Sequence, residues 1–136
     1  MKARHWFEEH TSEVQLVAVA PTLAELFVEA ARGVANLLAE DLAVRPEGPT
    51  ESVELHARDV EALLVDWLNE VIFLSETRKR VFSEIQVKRA GETEFAATLR
   101  GFEPRVIKTA VKAATLHGAR VEKQQGGFRA SVVLDV

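Results

Sequence analysis

Two carboxylates stand out by where they fall in the sequence. Glu13 closes the polar cluster His10-Thr-Ser-Glu13 directly before the apolar run Val14 to Ala20, and Asp135 sits in the last apolar run, Ser131-Val-Val-Leu-Asp-Val136. Each stands at one end of a segment of strand type, and Val136 adds a main-chain carboxyl group beside Asp135. If the two segments are neighbours, three carboxylates meet. They would repel one another strongly unless a cation sat among them, and oxygen donors of this kind suit Ca2+ or Mg2+ rather than zinc. Nothing in composition or spacing alone places the two segments side by side.

Other chemistry is scarce. There is no nucleophile elbow, phosphate-cradling glycine loop, HExxH or paired CxxC. The absence of cysteine removes disulfides, thiolate metal sites and cysteine nucleophiles together. His5, His10, His56 and His117 have no local metal-pair spacing and read singly as surface or strand-end residues. Asp66 and Glu70, one helical turn apart, read as the solvated side of an apolar helix.

The elements that must position Glu13 and Asp135 follow from periodicity. Val14 to Ala20 is nearly continuous in apolar residues and predicts a central strand. Pro21 ends it, and Thr22 with Glu25 forms a capping box. Leu23, Leu26, Phe27, Ala30, Val34, Leu37 and Leu38 then lay one helical stripe, which ends before a loop at Arg45-Pro-Glu-Gly-Pro-Thr50. Ser52 to Ala57 alternates as a short strand, and Asp59 caps a second helix. Its face carries Val60, Leu63, Leu64, Trp67, Leu68, Val71 and Ile72, widened by Phe73 and Leu74, with Trp67 in the core. Beyond Arg78-Lys-Arg80 the period falls to two. One hairpin turns at Ala90-Gly-Glu-Thr93, a short strand or turn covers Lys108 to His117, and a last hairpin pairs Ala119 to Lys123 with Gly127 to Val136. In that last strand Phe128, Ala130, Val132 and Leu134 face one way, and Asp135 faces the other. The expectation is an α+β fold, two amphipathic helices packed on a mostly antiparallel β-sheet, in a single domain spanning residues 1–136.

Charge is uneven along the chain. Through Thr77 there are 5 basic against 15 acidic side chains, and from Arg78 onward 12 against 6, within a net charge of -4. No apolar run approaches the ~20 residues that span a bilayer, and the N-terminal residues lack the apolar stretch of a signal peptide. A soluble cytoplasmic protein with no membrane partner is expected.

Five ordered segments carry a resemblance. His10-Thr-Ser-Glu-Val14, Pro21-Thr-Leu-Ala-Glu-Leu-Phe-Val-Glu-Ala-Ala31, Leu64-Val-Asp-Trp-Leu-Asn-Glu70, Val111-Lys-Ala-Ala-Thr-Leu-His117 and Val132-Val-Leu-Asp-Val136 together resemble the archease family, from His10 to the last residue. The resemblance implies a small cytoplasmic α+β protein, not itself catalytic. It would activate a GTP-dependent RNA-splicing ligase, in tRNA splicing or RNA repair, by promoting the ligase's nucleotidylation and multiple turnover. RNA would be met only through that ligase. The family's metal site, carried residue by residue, falls on Glu13, Asp135 and Val136, the groups singled out above, and implies Ca2+ or Mg2+. Lys112 and His10 become candidate partner contacts. This chain departs from the family pattern at Glu13, where aspartate is usual, and at Ser12, where alanine is usual. The extra methylene moves the carboxylate by ~1.5 Å, large against metal–oxygen tolerances, and implies weaker binding.

A different class of function stays open on the residues alone: a stand-alone metal-dependent hydrolase in which the carboxylates activate water. Against it, only His10 is near enough in sequence to serve as acid or base. Direct RNA binding by the basic half is disfavoured, because no basic stripe interleaves with aromatics and the net charge is acidic.

Overall fold

Which strand lies beside which is what the sequence could not say. In the computed structural model, which describes residues 1–9 and 12–136, the order is β1 (Arg4–Glu9), β2 (Glu13–Ala20), α1 (Leu23–Leu38), β3 (Glu47–His56), α2 (Val60–Arg78), β4 (Val81–Ala90), β5 (Glu94–Phe102), β6 (Ala113–Gln124) and β7 (Gly127–Asp135). The α+β class is as expected, but the strands divide between two antiparallel sheets, β1-β2-β7-β6 and β3-β5-β4. Both helices touch both sheets: α1 packs on β2 and β4, and α2 on β6 and β3. No described helix is long and apolar enough to cross a membrane.

The helix starts follow their sequence signals. Thr22 accepts a hydrogen bond from the Glu25 N–H at 3.1 Å, and Asp59 accepts one from the Ala62 N–H at 2.8 Å, each meeting a backbone donor that the first turn leaves open. Because α1 lies between sheets, it is buried over more than one stripe, including Gly33, where a β-carbon would stand 2.5 Å from Leu16 Cδ1. The missing side chain lets α1 close on β2. Glu29, also buried, is met by His5 Nδ1 of β1 at 2.6 Å.

Trp67 is buried at the centre, as predicted. Its Nε1 donates to the Phe27 carbonyl of α1 at 2.9 Å, and its ring lies 4.7 Å from that of Phe95 on β5, which stands equally close to Phe27. One side chain thus joins both helices to the second sheet. Phe73 corrects the expected helix face: it is 57% exposed. It follows Asp66 by seven residues, two turns, and so falls on that residue's solvent stripe.

Three further elements differ from expectation. Arg4–Glu9 is a strand that the mixed sequence Arg-His-Trp-Phe-Glu-Glu did not reveal; it pairs with β2 from Arg4↔Val19 to Glu9↔Val14. Glu47 to Thr50, expected as loop, begins β3. Arg80 Nη1 donates to the Glu47 carbonyl at 3.0 Å and Arg100 Nε to the Gly48 carbonyl at 3.2 Å, pinning this segment across a register shift. Finally, β6 is one strand from Ala113 to Gln124, not two pieces. Its register slips between Thr115 and Arg120 around Gly118, at φ +77°, a backbone conformation that glycine adopts without strain.

Candidate functional site

The nearly continuous apolar character of β2 has a structural cause. Its inner residues Leu16, Ala18 and Ala20 join the core, and Val17 and Val19 on the outer face are buried as well. That burial fixes the register with β7, because a slip by one residue would exchange the faces of both strands. The pairing runs from Ala20↔Phe128 through Leu16↔Val132 and Val14↔Leu134 to Glu13↔Asp135. The two carboxylates singled out from sequence are therefore direct cross-strand partners. Side chains so paired leave the same face with their β-carbons about 5 Å apart, here the face opposite the buried Val14 and Leu134.

Their surroundings are open and acidic. Asp135 is exposed, and Glu13 and Val136 are half-buried. Among the described residues, neither carboxylate forms an ion pair with a basic side chain. Like charges standing opposite each other on a sheet cost stability, so a cation at this end would relieve a repulsion already built in. No group of three or more His, Asp or Glu side chains able to hold a metal occurs among the described residues. A cage here would need main-chain oxygen or water. Hard oxygen donors alone suit Ca2+ or Mg2+.

Lys112 arrives at the same end of the sheet from the other side. Asp135 pairs with Ala113 at the start of β6, and the Lys112 N–H donates to the Asp135 carbonyl at 2.8 Å. Glu13, Asp135 and Lys112 are thus brought together through neighbouring strands, with the Lys112 side chain exposed. His10 lies outside the described residues.

One positioning residue escaped the sequence analysis. Asn69 Nδ2 donates to the Ala114 carbonyl at 3.0 Å, and its Oδ1 accepts from the Ala114 N–H at 2.8 Å. Its side-chain amide therefore mimics a strand partner for β6 two residues from Lys112. The signal was present: Asn69 stands one helical turn from Val65 and from Ile72, on the flank of the apolar face, where a side-chain amide needs a hydrogen-bond partner. The Leu64-Val-Asp-Trp-Leu-Asn-Glu70 segment thus supplies both Trp67, which ties α2 to α1, and Asn69, which ties α2 to the edge of the site.

A family model, the archease protein family, matches residues 6–136. The chain belongs to the archease family. Among relatives, protein archease of Methanosarcina mazei is 32% identical, over 98% of this chain and 96% of that one. Protein archease of Methanopyrus kandleri is 34% identical, over 96% and 99%. The fold recurs in protein 1598 of Methanobacterium thermoautotrophicum, with TM-score 0.74 and 24% identity over 97% of this chain and 98% of that one. It recurs again in an archease of Thermotoga maritima described as a possible chaperone, with TM-score 0.63 and 21% identity over 95% and 94%. These archease structures establish the shared fold; the Glu13–Asp135 pairing is a feature of this chain's own register.

Proposed function

We propose that this archease is a non-catalytic accessory factor that activates a GTP-dependent RNA-splicing ligase by promoting its nucleotidylation and multiple turnover. Membership of the archease family over residues 6–136 supports this, and the observation that carries it to particular residues is the cross-strand pairing of Glu13 with Asp135. A Ca2+ or Mg2+ ion would be held by the Glu13 and Asp135 carboxylates with the carboxyl group of Val136. When bound, such an ion neutralises the facing charges and ties the ends of β2 and β7 into one rigid unit. The longer Glu13 side chain, in place of the family's usual aspartate, makes this a weak site. Lys112, exposed and hydrogen-bonded through its main chain to Asp135, is the proposed contact to the ligase; His10 is a second candidate contact from the sequence resemblance. RNA is reached only through the ligase, and the setting is cytoplasmic.

The experiment combines a ligase nucleotidylation assay with GTP, run with and without this protein, and a calcium titration of two versions extended at opposite ends. The expected outcome is faster nucleotidylation with the protein present, and weaker calcium binding and activation when residues are added after Val136 than when they are added before Met1. Nucleotidylation unchanged by the protein would overturn the ligase assignment. Equal calcium affinity in the two versions would remove Val136 from the site.

A further inference from the structure

A concave region lined in part by Lys112 lies nearby. A pocket of about 550 Å3 opens between residues 103–112, the end of α1 and the last turns of α2. Leu38, Ile72 and Val111 give it an apolar lining, and Ile107 stands at its edge. Ile107 is 48% exposed and its neighbour Val106 75%. This exposure belongs to an anchored segment. The Lys108 and Thr109 N–H groups donate to the Leu38 and Leu37 carbonyls at 2.8 and 3.0 Å, satisfying acceptors that the end of α1 leaves open. Ile107 thus extends the apolar lining of Leu38, Ile72 and Val111 outward from an anchored backbone.

The charge around the pocket says what kind of occupant it fits. Lining the pocket, Lys79, Arg80 and Lys112 stand against Glu76 and Glu103, and Arg78, Arg105 and Lys108 of the same two segments make its surroundings basic in a chain of net charge -4. Arg78 is paired with Glu51, and Arg80 bonds the Glu47 carbonyl. Lys79 and Lys112, which both line the pocket, enter no ion pair among the described residues. Lys79 is also the one described non-glycine residue with left-handed backbone, at φ 56°. Glycine takes that helix-ending position more cheaply, so a lysine there retains its ammonium group at a backbone cost. Single-stranded nucleic acid would ask for aromatic stacking platforms, and none lines the pocket.

We infer that this pocket docks an acidic peptide segment of a protein partner, with an apolar side chain seated on Leu38, Ile72 and Val111 and carboxylates against Lys79 and Lys112. The inference does not depend on which protein the partner is, so the ligase assignment and the pocket can fail separately.

The test is an amide-resonance titration of the whole 15N-labelled protein with the blocked tripeptide acetyl-Asp-Leu-Asp-amide. Saturable shifts are expected at residues 72–80 and 103–112. The Asp-Gly-Asp and Lys-Leu-Lys analogues should bind at least about fivefold more weakly, since two exposed ion pairs and one apolar anchor each contribute on that scale. Lys79→Gly relieves the left-handed backbone, so it should stay folded and at least as stable while its affinity for Asp-Leu-Asp falls by about threefold. Lys112→Glu should lower affinity further. The inference is overturned by an absence of shifts, by shifts centred elsewhere, by equal affinity for the three peptides, or by unchanged affinity in Lys79→Gly combined with Lys112→Glu. A single-stranded RNA oligonucleotide shifting these residues where the acidic peptide does not would also overturn it.

Discussion

The junction around Trp67 and the sheet end at Glu13 and Asp135 treat polar groups in opposite ways. At the junction each has a partner: the Trp67 indole N–H finds the Phe27 carbonyl, and the Asn69 amide satisfies both main-chain groups of Ala114. At the sheet end two carboxylates face one another across β2 and β7 with no basic side chain paired to either among the described residues. The first arrangement stabilises the fold. The second works against it, and β2 holds its register anyway because Leu16, Val17 and Ala18 are buried. Function is expected in the region whose charges the protein leaves uncompensated.

The largest loss is expected at the junction. Trp67→Ala removes the ring that Phe95 packs against and leaves the Phe27 carbonyl without its donor, and should cost ~3–5 kcal/mol, read by denaturant unfolding. A thermally unchanged Trp67→Ala protein would mean that this junction does not hold the fold. At the sheet end the expected effect is that of calcium. At a concentration about a hundredfold above its dissociation constant, calcium should add about 2.7 kcal/mol to the wild type and nothing to Asp135→Ala, as measured by the shift in unfolding midpoint. Asn69→Ala comes next. It strands the N–H and C=O of Ala114 at a partly buried edge and should cost about 2 kcal/mol, with hydrogen exchange accelerated at the start of β6.

The smallest effect has the opposite sign. Asp135→Asn in metal-free buffer removes one of two facing charges and should raise stability by about 0.5 kcal/mol, a gain that shrinks as salt is added. A loss of stability of more than 1 kcal/mol on that substitution would show that Asp135 belongs to the stabilising network after all.

Much of this was legible in the residues. Thr22 and Asp59 announce helix starts through local hydrogen bonding, and the Ala90-Gly-Glu-Thr93 turn announces its hairpin, because both signals act within a few residues. The partners of those elements were not legible: alternation tells which face of a strand is buried but not which sheet it joins, so two sheets were expected as one. Arg4–Glu9 was missed because its pairing with β2, not its composition, makes it a strand. Glu47 to Thr50 was missed because Arg80 and Arg100, distant in sequence, bind its carbonyls. Of the site, Glu13 and Asp135 could be named from their positions before and within apolar runs. That they are cross-strand partners is a matter of register, and the roles of Asn69 and the pocket lining arise only once α2 lies against β6.

On the proposed function, this archease activates a ligase through the end of the sheet where Glu13 meets Asp135. A multiple-turnover RNA ligation assay with the GTP-dependent ligase, run with no added protein, with the wild type, and with Asp135→Ala matched to it for folding, tests that claim most directly. The expected result is sustained turnover with the wild type and none beyond the ligase alone with Asp135→Ala. Turnover unchanged by the wild type, or supported equally by the Asp135→Ala protein, would contradict it.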